Sequence, residues 1–364
     1  MNVRFAKRFW VLALSITMLA GAVSYAVADN RDPPAPPTDW VSEELRDHPL
    51  VGKIWSPKKQ AFADLRTFGH DLALTRYALL GEVHDNADHH LWQAWAIRTI
   101  SKLRGARIVE GAPQIDIIAM EMVTTAQNAA LDKFYGRDVV VPRPRKPRDF
   151  ARMLKWSKTG WPDFKIYEPI IAQALHEQLV IVPASASREF TRQLSKEGEE
   201  ALGQGELERL ALAEGLSGPA SKALDKEIED AHCNLLPVSA VPRMSLIQRF
   251  RDATMADSLL AVASGKGGIL IAGNGHVRRD RGVPLYLIRR GVPSKQIMAV
   301  KHVEVIPDKL KPEDYAEAAA GADYLVFTPR AKREDPCERM RQHMKKKQSG
   351  SKNAKPANAK KEAE

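Results

Sequence analysis

The sequence contains no uninterrupted apolar run long enough to predict a membrane-spanning helix, which needs roughly 20 residues. The longest apolar stretch, from about Phe9 to Ala20, is broken by Ser15 and Thr17. Basic residues precede it and the small residues of 26–28 follow it, an order typical of a secretory signal peptide. We therefore expect cleavage after residue 28 and a mature chain without a transmembrane anchor. A retained membrane anchor is the alternative interpretation.

Cysteine is scarce, since Cys233 and Cys337 are the only two in 364 residues. Neither lies near the expected cleavage position, so attachment of a lipid through an N-terminal cysteine is excluded. In an exported and therefore oxidising compartment, an even pair of cysteines most simply forms a disulfide. We expect a Cys233–Cys337 bond, with two free buried thiols as the alternative.

The formal charge of +10 is unevenly distributed along the chain. Residues 1–28 contribute +3, and residues 338–364 contain nine Lys or Arg against three Glu. The body between them is therefore close to neutral, which argues against a nucleic-acid-binding face. The Ala/Lys/Ser-rich segment 338–364 is typical of a disordered basic tail.

Short apolar runs alternate with segments of helical periodicity. This pattern predicts an α/β fold with a mostly parallel central sheet flanked by helices, and it extends over one domain of residues 48–337. Residues 29–47 begin with a Pro-rich stretch that cannot form a helix or a central strand, so they are expected to be a linker. Strands are expected near 77–81, 115–120, 179–183, 268–272, 296–306 and 323–327.

Two long segments interrupt this alternation. Residues 188–264 carry Leu, Ala, Glu, Lys and Arg at helical spacing and predict a large helical insertion. Residues 139–164 contain PRPRKPR and KWSKTGWPDF, and their prolines predict an irregular loop. The basic part of that loop, residues 143–148, is interpreted either as a cationic ligand contact or as a solvated surface segment.

Residues that can bind a ligand or transfer protons stand at the ends of three expected strands. Glu82 and His84 follow the first strand, Glu121 follows the second, and Gly273-Asn274-Gly275-His276 follows the fourth. In an open parallel sheet such ends meet at one edge, where ligands bind. Carboxylate oxygens and imidazole nitrogens suit a divalent metal or an acid–base pair. The glycines beside Asn274 would let a ligand approach the main chain.

Each of these residues also has a purely structural interpretation. A glutamate at a strand end is often a cap or an ion-pair partner, and Gly-Asn-Gly is also a common tight turn. His89 and His90 fall in the first turn of an expected helix, so one of them is expected to face solvent. Tyr167 is interpreted either as a buried, hydrogen-bonded tyrosine or as a functional ligand.

Several stretches together resemble a known family. They occur in the order LLGEVHDNADHHLWQ, AMEM, GWPDFKIYEPI, DAHCNLLP, IAGNGHVRRDRGVPLYL and REDPCER, over about His48 to Arg339. In this combination the chain resembles the ChaN-like haem-binding proteins, which are related to Tiki proteases and erythromycin esterases. The resemblance implies an α/β core with a helical insertion, a location in the bacterial envelope, and a role in haem or iron uptake.

The resemblance also implies a homodimer that encloses stacked haems, with a tyrosine of one subunit on the iron and a histidine of the other at a propionate. The GExH and GNGH elements match at residues 81–84 and 273–276. The haem contacts thus implied are His84, His276, Gly273, Asn274 and Gly275. The iron-ligating tyrosine is assigned to Tyr167 because it lies inside a matched stretch. Unlike lipoprotein members, this chain lacks a cysteine at the cleavage position, which favours a free periplasmic protein.

Two functions of different classes remain open at this point. The first is noncovalent haem binding, since no CxxCH attachment sequence is present and an axial phenolate is an established haem ligand. The second is a metal-dependent hydrolase, in which Glu82, His84, Glu121 and His276 hold a divalent ion or activate water. Haem binding is the prediction that we favour, with hydrolysis as the alternative.

Overall fold

The computed structural model describes residues 32–105, 113–136, 145–261 and 266–342. The expected signal peptide, residues 143 and 144 of the basic loop, and residues 343–364 of the expected tail lie outside the described residues. Among the helices that are described, none combines the length and the hydrophobicity needed to cross a membrane.

One eight-stranded sheet forms the centre of the molecule, with the strand order β2-β1-β8-β7-β3-β6-β4-β5. The strands are β1 (Ile54–Ser56), β2 (Ala61–Ala63), β3 (Tyr77–Glu82), β4 (Ile115–Thr124), β5 (Val180–Ser185), β6 (Gly267–Gly273), β7 (Ile297–Glu304) and β8 (Tyr324–Thr328). The six strands β3 to β8 pair in parallel, whereas β1 pairs antiparallel with both β2 and β8. The predicted α/β class with a mostly parallel sheet is therefore confirmed.

Helices cover both faces of the sheet. They are α1 (Leu65–Leu74), α2 (Ala87–Gly105), α3 (Asn128–Tyr135), α4 (Pro147–Met153), α5 (Phe164–His176), α6 (Arg188–Glu197), α7 (Gly203–Arg209), α8 (Gly218–Ala231), α9 (Val241–Ala261), α10 (Val283–Arg289) and α11 (Ala316–Ala319). The predicted helical insertion consists of α6, α7, α8 and α9. The long helix α9 closes it and packs against β4, β5 and β6.

The core is divided between the two sheet faces because side chains alternate along a strand. On β3, Ala78 and Leu80 belong to the cluster beneath α1, α2 and α5, while Tyr77 and Leu79 belong to the cluster beneath α9 and α10. All six residues of β3 are buried. A continuous apolar run is what a strand covered on both faces requires.

The structure differs from the sequence-based description at three places. The short antiparallel pair β1 and β2 was not anticipated, because three-residue strands carry too little periodicity to be recognised. Residues 139–164 are not wholly irregular, since α4 begins with Pro147, whose missing N–H is harmless at the first helical position. The described part of the expected linker forms no helix or strand, yet it packs on α2, where Asp88 accepts hydrogen bonds from the N–H groups of Val41 and Ser42 at 2.7 and 2.9 Å.

The expected disulfide between Cys233 and Cys337 is formed. It joins the residue just beyond α8, in the insertion, to a short helical segment that follows β8. The alternative of two free thiols is therefore wrong, since the described residues contain no free cysteine.

Candidate functional site

The central strands bring the expected site residues to one edge of the sheet. Strand β6 lies between β3 and β4, and residues 82 and 273 are paired in the register of β3 and β6. Glu82 is the last residue of β3, and Glu121 lies near the end of β4. His276 follows β6 by three residues. The convergence inferred from the strand ends is present in the structure.

Glu82 is a buried carboxylate at the centre of one hydrogen-bonded group. Its Oε1 lies 2.8 Å from Nδ1 of His84 and accepts a hydrogen bond of 2.9 Å from the hydroxyl of Tyr167. The same hydroxyl also lies 3.1 Å from the carbonyl oxygen of His84. His90 faces the second carboxylate oxygen of Glu82 at 3.4 Å, an ion-pair distance rather than a hydrogen bond. Glu82 thereby fixes the ring of His84, whose Nε2 is left to face the rest of the site.

Glu121 is a second buried carboxylate, and cationic groups surround it. Its Oε2 accepts a 2.8 Å hydrogen bond from the N–H of Gly273 and lies 3.8 Å from Nε2 of His84. Its Oε1 forms an ion pair with Arg251 and lies 3.5 Å from Nε2 of His276. The Nε2 atoms of two histidines therefore converge on one carboxylate.

His276 is held from its other side by the insertion. Its Nδ1 lies 2.6 Å from Oδ1 of Asp252 on α9, and the amide nitrogen of Gln248 lies 3.2 Å from the same ring nitrogen. Asp252 and His276 are both almost fully buried. The site thus contains two carboxylate-anchored imidazoles, Glu82–His84 and Asp252–His276, on either side of Glu121.

These contacts set the charges of the cluster. Burial opposes ionisation of Glu82, but His90 and His84 outweigh it and hold the pKa of that carboxyl well below its usual range. Burial likewise opposes ionisation of Glu121, but His276 and Arg251 outweigh it and lower its pKa. Both carboxylates are therefore ionised near neutral pH.

The same contacts raise the pKa values of the imidazoles of His276 and His84. Burial lowers the pKa of His276, but the charges of Glu121 and Asp252 reverse this and raise it to about 9. Burial also lowers the pKa of His84, and the hydrogen bond to Glu82 with the charge of Glu121 raises it above its ordinary value. Burial raises the pKa of Asp252 to about 6, against the pull of His276. Near neutral pH, the site therefore pairs ionised carboxylates with a protonated His276.

Two glycines make this close packing possible. A Cβ at Gly81 would lie 2.7 Å from the side chain of Val277 and would also strike the amide oxygen of Asn274. A Cβ at Gly273 would lie 3.0 Å from Nε2 of His84. Any larger residue at either position would displace the loop that carries His276 or the ring of His84.

The other predicted loop residues make internal contacts. The amide of Asn274 donates a 2.8 Å hydrogen bond to the carbonyl of His302, and a Cβ at Gly275 would lie 2.7 Å from a carboxylate oxygen of Glu227. These positions shape the loop, and their role as direct haem contacts stays a prediction.

Tyr167, the expected iron ligand, lies in α5 and is fully buried. Burial and the negative charge of Glu82 strongly raise the pKa of its phenol, which therefore stays protonated. This position corresponds to the buried, hydrogen-bonded interpretation.

The expectation that His89 or His90 faces solvent is wrong, because both are fully buried. His89 accepts a 2.8 Å hydrogen bond from the N–H of Val83 and so closes the loop before α2.

The structure brings together the four residues proposed to hold a divalent metal, and their role as metal ligands stays a prediction. Within the described ranges, no group of three or more His, Cys, Asp or Glu residues is arranged to hold a metal ion. Arg251 and His276 form ion pairs with Glu121, while Tyr167 and His84 form hydrogen bonds with Glu82.

Solvent reaches the cluster at its rim. The side chains of His84 and Arg251 are 33% and 32% exposed, whereas those of Glu82 and Glu121 are almost fully buried. The ring of Trp161 packs edge-on against His84, with centroids 4.9 Å apart. The guanidinium of Arg188 reaches over the neighbouring Gly160, where a Cβ would lie 3.3 Å from it. A ligand at this rim would meet aromatic and cationic groups before it met the buried carboxylates.

Three site residues were not anticipated from the sequence: Gln248, Arg251 and Asp252. They lie on α9, where polar residues are distributed around the helix without a distinct apolar stripe, so none of them stands out in the sequence. The available signal was the position of α9 before β6, since a helix that leads into a parallel strand runs back along the sheet and its N-terminal half lies nearer the carboxyl edge.

Comparison with known proteins finds a solved structure that shares this fold, and a second one with weaker similarity. A solved structure described as cofacial heme binding to ChaN of Campylobacter jejuni is 21% identical, with a TM-score of 0.55, and the match covers 75% of this chain and 95% of that one. An erythromycin esterase variant in its open conformation is 14% identical, with a TM-score of 0.32, over 79% of this chain and 86% of that one. No curated protein sequence matches this chain significantly.

The family comparison covers the residues that build the site. Strands β3 to β6, helix α9 and the loop with His276 all lie within residues 69–287, which match the model of one family. That match spans more than half of the 364-residue chain. On this evidence, the chain belongs to the haem-binding uptake family, Tiki superfamily, ChaN.

Proposed function

We propose that this protein binds haem noncovalently and takes part in haem or iron handling in the bacterial envelope. The observation that carries the proposal is membership of the haem-binding uptake family over residues 69–287. Export to the periplasm is part of the proposal. It is supported by the Cys233–Cys337 disulfide, a bond that persists in oxidising compartments, and by the order of basic, apolar and small residues within 1–28.

The rim of the site fits the chemistry of haem. Trp161 offers an aromatic surface to a porphyrin, and Arg188 and His84 offer positive charge to propionates. Because the Glu82 and Glu121 carboxylates raise the pKa of His84, its imidazole suits a propionate better than an iron atom. Bound haem would supply a ferric iron with axial positions for protein ligands.

The axial ligand of the iron is assigned to Tyr167. Tyr167 is the tyrosine inside the matched stretch, but its hydroxyl is buried and donates to Glu82, so iron ligation requires α5 to move. Among the tyrosines in the described residues, Tyr135 is the one that is not almost fully buried. Its hydroxyl accepts a 2.7 Å hydrogen bond from the N–H of Ile181, and Arg145 lies over its ring. Because Ile181 is the second residue of β5, Tyr135 lies toward the amino end of the sheet and away from the rim, which makes Tyr135→Phe a control for Tyr167→Phe.

We extend the proposal to a homodimer with two haems between its subunits. The solved ChaN of Campylobacter jejuni is described by cofacial haem binding, and the match covers 95% of that chain. A haem held at an open rim gains protection from water when a second copy covers it.

The test is an optical titration of residues 29–364 with ferric haem, beside the variants Tyr167→Phe and Tyr135→Phe. A saturable Soret shift at about one haem per chain, with a charge-transfer band of phenolate ligation, is expected. Loss of that band in one variant identifies the ligand, and its persistence in both excludes the two tyrosines. No saturable shift in the unmodified protein would contradict haem binding. Sedimentation with and without haem tests the dimer.

Acid–base hydrolysis is a second candidate function, and the geometry around Glu121 favours it. An ionised carboxylate and the imidazole of His84, 3.8 Å apart at a partly open rim, are a base and an acid within reach of one bound ester or amide. Glu121 would accept a proton from the attacking water, and His84 would donate one to the leaving group. A panel of p-nitrophenyl esters tests this candidate, with Glu121→Gln expected to lower turnover because it removes the base. Turnover equal to that of buffer would contradict it.

A further inference from the structure

The Cys233–Cys337 disulfide joins two segments that each contact one of the two loops of the site. One loop, residues 82–86, carries His84, and the other, residues 273–282, carries His276. The two cysteines are 104 positions apart in the sequence, and the loops arise from different strands. The disulfide therefore connects, through these two segments, the loop of His84 with the loop of His276.

On the insertion side, this connection runs through α8 to the loop of His276. Glu227 on α8 forms an ion pair with Arg281, which is almost fully buried. The other carboxylate oxygen of Glu227 lies where a Cβ on Gly275 would contact it at 2.7 Å. Helix α8 ends at Ala231, two residues before Cys233. The position of α8 therefore determines what the loop of His276 packs against.

On the C-terminal side, this connection runs through Arg333 to the loop of His84. Its guanidinium donates two 2.8 Å hydrogen bonds to Asp85 and two 2.6 Å hydrogen bonds to Glu304. Glu304 in turn accepts a 2.7 Å hydrogen bond from the side chain of Asn86. The segment that leads to Cys337 thus holds the residues directly after His84.

We propose that the Cys233–Cys337 disulfide is a redox-sensitive clasp that holds both site loops in place, and that its reduction loosens them together. In the oxidised chain, the disulfide links α8 to the segment around Arg333, and each of them contacts one of the two loops. In the reduced chain, each segment keeps only its own ion pairs. The loops then gain mobility and the rim opens.

The chemistry requires a dithiol, such as a reduced thiol–disulfide oxidoreductase. One thiolate of the dithiol attacks a sulfur of the disulfide and displaces the other cysteine as a thiolate. Its second thiol then resolves the mixed disulfide. Two electrons and two protons pass to Cys233 and Cys337, and the dithiol becomes a disulfide. Both cysteines are half-buried, so a dithiol can reach them.

The consequence for ligand release rests on the proposed function, whereas the clasp itself can be tested without any ligand. Hydrogen–deuterium exchange of the full mature chain is measured in three states: oxidised, reduced with dithiothreitol, and as the double variant Cys233→Ser/Cys337→Ser. Exchange of residues 82–86 and 273–282 is expected to rise about tenfold or more on reduction, as in local opening. At labelling times of seconds, before amides that open only by global unfolding have exchanged, exchange in the buried part of α2 is expected to stay unchanged.

Two single substitutions keep the proposal testable if the double variant does not fold. With the disulfide intact, Glu227→Gln should raise exchange at 273–282, and Arg333→Gln should raise it at 82–86. Lys222→Gln on α8 and Lys332→Gln beside Arg333 are matched controls and should change neither loop. Unchanged loops after reduction, or an equal rise throughout the molecule including α2, would overturn the clasp. A failed haem titration would leave these exchange results standing, so the two proposals fail separately.

Discussion

The hydroxyl of Tyr167 donates a hydrogen bond to Glu82 Oε1 across 2.9 Å and thereby ties α5 to the end of β3. The two residues are 85 positions apart, and both are almost fully buried. In this structure, the role of Tyr167 is structural and follows from this contact. It supports the carboxylate that orients His84, and its phenol is held protonated by the charge beside it.

Tyr167→Phe is therefore expected to destabilise the fold by about 1–2 kcal/mol, because it removes a hydrogen bond to a buried charged group. Urea denaturation followed by circular dichroism measures the change in unfolding free energy. Tyr77→Phe is a matched control, since the hydroxyl of Tyr77 is buried and has no hydrogen-bond partner among the described residues. Equal effects of the two substitutions would contradict the assigned role of Tyr167.

Gly81→Ala is expected to cost about 1–3 kcal/mol of stability, because the new methyl group would overlap Val277 and Asn274 in a packed core. The loop that carries His276 would have to move. Gly205→Ala on α7 is the control, since no heavy atom lies within 4 Å of a Cβ there and a helical alanine gains about 0.5–1 kcal/mol. Thermal unfolding of both variants gives the comparison. An unchanged melting temperature of Gly81→Ala would show that the loop of His276 can move without a cost in stability.

The contribution of His276 to stability is expected to depend on pH in a defined window. Its folded-state pKa is raised to about 9 from an ordinary value of 6.5. A raised pKa means that the stabilisation is fully present below pH 6.5 and is lost as the pH rises through 9. Unfolding free energies of the unmodified protein and His276→Asn should therefore differ most near pH 6 and converge toward pH 9.5. A difference that is constant over this range would contradict the charged pairing with Glu121 and Asp252.

Loss of the disulfide is expected to lower the free energy of unfolding by about 4 kcal/mol, because it closes a loop of about one hundred residues. The comparison is between the oxidised protein and Cys233→Ser/Cys337→Ser in urea. A change below about 1 kcal/mol would mean that the unfolded chain is already restricted in the same region.

The sequence predicted the central strands well because each is a short apolar run bounded by polar or glycine residues. The ends of β3, β4 and β6 then follow from parallel topology, which is why Glu82, Glu121 and His276 could be placed at one edge. The burial of His90 could not be predicted, since it depends on the packing of α5 against α2. The roles of Arg251 and Asp252 were likewise hidden, because no local pattern tells which turn of a long helix faces a distant strand end.

The central position of β3, between β6 and β7, has a consequence for when the site edge is assembled during synthesis. Both neighbours of β3 come from the last third of the chain, beyond residue 266. Pairings between such distant segments form slowly, since a long loop must close before any hydrogen bond is gained. A nascent chain that ends before residue 297 leaves at least one edge of β3 open, and before residue 276 it lacks His276. The sheet edge that carries Glu82, Glu121 and His276 is therefore complete only after the last third of the chain has been made.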